Sequence, residues 1–239
     1  MITWMDHALV IGVAVAWPAR EYLRYGAYRR RVHSGVPGAR LAGYAEAMLI
    51  QWLLAAATVA LWIALSRDWA GLGLTFPATA RTWAGLGVAA GLAGLMLAQT
   101  VMVGRSPEAQ AQARTALAPY AELLPADRRD LTGFASLSIT AGVCEELLFR
   151  GLLPWHFGHW LGVGGAQASA LALFALAHSY IGPRAVARAL LAGLVAALLY
   201  VWTGSLVPSM LLHAGLDIVA GWMAYEVLGD GRSPAAAGV

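Results

Sequence analysis

Two adjacent acids and an arginine, Glu145-Glu146-x-x-x-Arg150, lie inside a run that otherwise reads as lipid-soluble. An acid at the centre of a membrane helix costs about 2.5–3.5 kcal/mol even on an insertion scale, so such groups face a partner, a cavity or a reaction. Glu146 and Arg150 are four residues apart and share a helix face, which makes them natural ion-pair partners. Glu145 sits about 100° round the helix and is left over. A carboxylate facing a cavity, with His178 and His213 available from neighbouring apolar segments, has the makings of a general base. His213 and Asp217 are also four apart, so the carboxylate either orients the imidazole or joins it on one ligand. Each pair alone also has a structural reading, the ion pair as a brace and the histidine as a bond between helices. Together they gather the strongly polar side chains of the last four apolar segments in one half of the chain.

The elements that must position these groups are membrane helices. Of 239 residues 59% are hydrophobic and 12% charged, with a mean hydropathy of +0.63, which is outside the range of soluble domains and points to an all-α polytopic membrane protein. Seven spans are expected, at about 2–17, 41–65, 83–103, 131–149, 163–180, 185–203 and 207–228. An eighth, re-entrant or half-span element would fit within 104–130 or 150–162. The chain has no lysine and sixteen arginines. With the N-terminus outside, thirteen of them (20, 24, 29, 30, 31, 40, 105, 114, 128, 129, 184, 188 and 232) fall on the cytoplasmic side, and three (67, 81 and 150) on the other side or within the membrane. The positive-inside rule therefore supports a cytoplasmic C-terminus and explains the basic balance without nucleic acid.

Residues 1–130 read as a transmembrane scaffold with an arginine-rich loop and a polar linker, 131–228 as the chemical core, and 229–239 as a short tail. Gly85, Gly87, Gly91 and Gly94 predict close helix packing for the third span. The alanine-rich stretch before Pro119 predicts a surface helix. Pro154 is expected to break or kink the fourth span, and Trp155, His156, Phe157, His159 and Trp160 read as an interfacial aromatic belt. Cys144 is a lone cysteine in apolar surroundings, which suits an inert buried thiol better than a nucleophile. Helix rise puts Glu145 and His213 about 20 Å from the cytoplasmic face and His178 about 5–10 Å from it, a mismatch for groups that would share one site.

Glu145-Glu146-x-x-x-Arg150, Phe174-x-x-x-His178 and His213-x-x-x-Asp217, in that order on successive hydrophobic segments, resemble the three motifs of the CAAX-protease and bacteriocin-processing family, also called the Abi or type II CAAX prenyl endopeptidase-like family. The resemblance covers about 131–228. It implies an intramembrane endopeptidase acting on a membrane-proximal or lipidated peptide, a prokaryotic cytoplasmic membrane location and the bilayer as partner. By the same resemblance Glu145 activates water with His178, and His213 with Asp217 stabilises the oxyanion or completes a metal site. Glu146, Arg150 and Phe174 would be structural supports. Asp217 stands where prenyl-processing members often carry asparagine; it would have to be protonated, orient His213, or hold a cation. Glu145, His178, His213 and Asp217 have the ligand types of a zinc site, but the chain lacks His-Glu-x-x-His, so a metal-independent glutamic mechanism is preferred to a zinc one. A non-catalytic immunity or scaffold protein would use the same polar cluster for packing. A proton-coupled transporter would use it as a relay, although no internal repeat supports that.

Overall fold

The computed structural model describes residues 2–229, and every regular element among them is helical. Arg232 and nearly all of the 229–239 tail lie outside the described residues. Helix α1 (Trp4–Ile11) passes through a π-helical segment, Gly12–Ala16, into α2 (Trp17–His33). There follow α3 (Ala39–Ala64), a short 3-10 turn at Trp69–Leu72, α4 (Ala80–Val103) and α5 (Pro107–Leu117), the last being the expected surface helix. Then come α6 (Arg128–Glu146), a second π-helical segment, Leu147–Leu152, α7 (Leu153–Ala177), α8 (Pro183–Thr203) and α9 (Val207–Leu228). Capping side chains set the polar starts. Thr79, Ser106 and Asp127 accept the orphan amides of α4, α5 and α6, as helix N-termini require.

The protein is an all-α membrane protein with several membrane-length helices. Five helical runs among the described residues are long and apolar enough to cross a bilayer: α3, α4, the continuous run Arg128–Ala177, α8 and α9. The fourth and fifth expected spans both lie within the run Arg128–Ala177, whose backbone is non-helical at Gly162, between them. The first is only the apolar head of a helix that continues without interruption into the arginines of α2.

The chain does not break at Pro154. A proline inside a helix removes one hydrogen bond and crowds the carbonyl four residues back; the π-helical widening at Leu147–Leu152 relaxes that crowding, so α7 starts across Pro154 with helical backbone. The break comes at Gly162, whose φ of 64° and ψ of 177° lie in a region open essentially to glycine alone. There the chain turns back on itself. Phe149 and Phe174 pack with ring centroids 5.2 Å apart, whereas 25 residues of unbroken helix would hold them about 37 Å apart.

Packing around this reversal forms the core. Trp62, Leu72, Leu148, Phe149, Leu152, Leu153 and Leu206 are essentially inaccessible and join one cluster. Helices α6 and α9 meet at Gly142, where a Cβ would come within 2.8 Å of the Met210 carbonyl oxygen and the Ala214 methyl. On α4 Gly85 alone of the four glycines serves such an approach, against Thr203; Gly87, Gly91 and Gly94 face open space.

The expected aromatic belt is also revised. Trp155 packs edge-on to Trp62, with centroids 4.6 Å apart, and Arg67 lies over both rings at 4.5 and 4.9 Å. Arg67 in turn holds the buried Asp6 through two bonds of 2.6 and 2.7 Å. His156 is buried and stands 4.9 Å from His7. These side chains face inward because α1 covers the first half of α7; Trp160 alone of the two belt tryptophans stays exposed.

Candidate active site

Gly162 brings the motifs together. From Glu145 the chain climbs 17 residues to Gly162 and then returns 16 residues to His178, so at 1.5 Å per residue the outward and return legs are both about 25 Å. His178 thus comes back to the level of Glu145, and the depth mismatch expected from separate spans disappears. Helix α9 supplies His213 and Asp217 beside them. A cavity of about 360 Å³ is lined by Glu145, Glu146 and Arg150, by Phe174 and His178, and by His213 and Asp217. All seven side chains singled out from the sequence therefore meet on one space.

Within it, Glu146 is the hub. It is fully buried, and its Oε1 lies 3.0 Å from Arg150 and 2.8 Å from Nδ1 of His213. The expected Glu146 and Arg150 pair is present, but Glu146 also orients His213. Asp217, whose Oδ2 is 3.6 Å from Nε2 of His213, is outside hydrogen-bond range and opens to the cavity. The carboxylate that orients His213 thus comes from α6, through the close contact at Gly142, and not from its own helix. With Nδ1–H given to Glu146, Nε2 is the nitrogen that His213 offers to the cavity.

His178 ends α7. Its Nδ1 lies 2.9 Å from the Phe174 carbonyl oxygen; a carbonyl only accepts, so Nδ1 carries the proton and Nε2 of the neutral ring is a free acceptor. Phe174 holds the cluster apart and in place: its ring packs against His178 at 5.0 Å and His213 at 6.1 Å, with the Arg150 guanidinium 4.0 Å over it. Gly193 on α8 makes the room for this stack. A Cβ there would sit 2.8 Å from Arg150 and 2.9 Å from Phe174.

Two contributions come from outside the motifs. Gln51 on α3 donates its amide N–H to Oε1 of Glu145 at 3.1 Å. It is the one amide side chain of α3, a signal legible in the sequence. The connector after α5 supplies Tyr120 and Leu124 to the cavity wall. That connector is tied down from α2 and α3. The hydroxyls of Tyr25 and Tyr28 donate to Glu122 side chain and backbone at 2.8 and 2.7 Å, Tyr44 donates to the Leu123 carbonyl at 2.9 Å, and Arg29 pairs with Glu122 at 2.7 Å. Burial pushes the Tyr28 phenol up to about 12, so it remains a donor.

Cys144 is fully buried on α6, beside Glu145 but not among the cavity-lining residues. Among the described residues no three His, Cys, Asp or Glu side chains gather as a metal site. The four candidate zinc ligands line one cavity, but no three of them are gathered about a common point among the described residues. The residues do not fit a zinc centre in this arrangement.

Arrayed in this way, the site offers one carboxylate held by a neutral amide, one imidazole with a free acceptor nitrogen, and a second imidazole braced by a buried ion pair. Residues 128–219, which contain all three motifs, match the family model described as type II CAAX prenyl endopeptidase Rce1-like. No curated protein and no solved structure matches the chain.

Proposed function

Because residues 128–219 belong to the type II CAAX prenyl endopeptidase Rce1-like family, we propose that this chain is an intramembrane endopeptidase in which Glu145 and His178 activate water against a peptide bond of a membrane-associated substrate. The observation that carries the reading is the single cavity onto which three separate helices bring Glu145, His178, His213 and Asp217.

In the proposed step, water bonded to Glu145 and to Nε2 of His178 adds to the scissile carbonyl carbon. Glu145 takes the proton as the C–O bond forms, and the carbonyl oxygen becomes an oxyanion. His213, protonated and held by Glu146 through Nδ1–H, donates Nε2–H to that oxyanion. On collapse the C–N bond breaks and Glu145 returns its proton to the leaving amine. Asp217 balances the His213 charge from the cavity side. Glu146 and Arg150 act by keeping His213 in place, and Phe174 by separating the two imidazoles.

The test compares membrane peptides in cells carrying the wild type and Glu145→Gln, followed by cleavage of the accumulated peptide by purified protein. Glu145→Gln and His178→Ala are expected to insert and fold while losing about 100-fold or more of turnover. Retained turnover in purified Glu145→Gln would sink the assignment. So would an intact peptide with the wild type, the outcome expected of a non-catalytic immunity or scaffold protein. Elemental analysis of the active preparation decides the metal question: stoichiometric zinc whose removal abolishes cleavage would replace this mechanism with a metalloprotease one.

A further inference from the structure

We infer that Gln51, on α3 and outside the matched domain, is a positioning residue that orients the Glu145 carboxylate for its encounter with water. The inference rests on the reading of Glu145 as the water-activating group. Its evidence is the cost of the arrangement. Gln51 is only 4% exposed; its Nε2–H goes to Glu145, and its Oε1 is buried with no hydrogen-bond partner among the described residues. An acceptor left unpaired in such a place costs about 1–3 kcal/mol, which an apolar side chain of the same shape would avoid. Among the described residues the bond to Glu145 is the side-chain hydrogen bond that offsets this cost.

The geometry around Gln51 also fits a positioning role. The next residue, Trp52, donates its indole N–H to Thr140 Oγ1 at 3.2 Å. Thr140 is five residues before Glu145, so this bond locks the register of α3 against α6 and sets where the Gln51 amide reaches. Other charged or titratable groups stand near Glu145: Cys144 and Glu146 from its own helix, Arg150 from the π-helical segment, His178 across the cavity at the end of α7, His213 and Asp217 from α9, and Tyr180 from the turn after α7. None of them hydrogen-bonds it among the described residues, and Arg150 is engaged by Glu146. Gln51 is therefore the group that fixes the rotation of the carboxylate, binding Oε1 and leaving Oε2 to the cavity. A neutral amide does this without the charge that would make Glu145 a weak base.

Two variants test it, Gln51→Met, which keeps the length without a donor, and Gln51→His, which returns an N–H near the amide position. With the peptide identified by the cellular comparison, Gln51→Met is expected to lower kcat about 10–100-fold with KM within about twofold, and Gln51→His to recover part of kcat. The infrared carboxyl band that vanishes in Glu145→Gln should shift in Gln51→Met and move back in Gln51→His. That band needs no turnover, so if the wild type cleaves nothing, the proteolytic reading fails while the Gln51 contact is still decided by the spectrum. Wild-type kcat in Gln51→Met, or an unmoved band with loss of kcat and thermal stability together, would overturn the inference.

Discussion

Asp217 is the residue whose role the geometry narrows most. An ionised carboxylate beside a forming oxyanion repels it, while an asparagine donates to it. Since His213 is oriented by Glu146 at 2.8 Å, and Asp217 stands 3.6 Å off, the imidazole does not depend on Asp217 for its direction. Asp217→Asn is therefore expected to keep turnover within about tenfold of wild type, whereas His213→Ala, which removes the proposed oxyanion donor, should cost about 100–1,000-fold in kcat. Steady-state kinetics on the same peptide check both. A loss in Asp217→Asn as deep as that in His213→Ala would mean that the negative charge itself takes part. At this scale the sequence was informative: spacings of four on a helix made Glu146 and Arg150, and His213 and Asp217, legible as pairs. It did not reveal that Glu146 reaches across to His213, because that bond joins residues 67 positions apart and depends on the close approach of α6 and α9 at Gly142.

Among the elements, the reversal at Gly162 does the most to build the site. Its backbone conformation imposes about 1–3 kcal/mol of strain on any residue with a Cβ, though a Cβ there would meet no neighbouring atom. Gly162→Ala should therefore lower the unfolding midpoint in detergent and reduce cleavage, since α7 can no longer return His178 to the level of Glu145. Gly164→Ala is the matched control. That glycine also faces open space but has ordinary helical backbone, so the change should be neutral or stabilising by up to about 1 kcal/mol. Equal effects of the two substitutions would refute the part assigned to the break. The sequence pointed instead to Pro154, because proline is the stronger general helix breaker. What it hides is the π-helical segment just before, which accommodates the proline and passes the break eight residues on, where a glycine can take it.

For the whole molecule, two ties hold the scaffold around the half that carries the cavity. At one end Glu122, gripped by Tyr25 and Arg29, holds the connector that closes the cavity wall. At the other, Asp6 and Arg67 link α1 to the turn after α3, with Arg67 stacked on Trp62 and Trp155. Removing one member of a buried ion pair costs about 3–5 kcal/mol. Asp6→Ala is accordingly expected to lower the detergent unfolding midpoint by about 10 °C, which a thermal melt reads directly; an unchanged midpoint would show that the pair is not a structural tie. The scaffold is thus part of the site's support, and residues 128–219 alone would lack Gln51, the Tyr25 and Tyr28 clamp and the α1 cover.

The sequence by itself determined the class of protein and singled out the polar groups that line the cavity. Apolar runs of membrane length and the cost of placing acids within them depend on composition and on spacing along one helix, which are local properties. Only the tertiary structure decided the number of long apolar helices, the inward turn of Trp155 and His156, the use of Glu146 by His213, and the approach of Gln51 to Glu145. Each of these depends on which helix faces which, and that is settled by where the backbone turns and where a missing Cβ lets two helices touch.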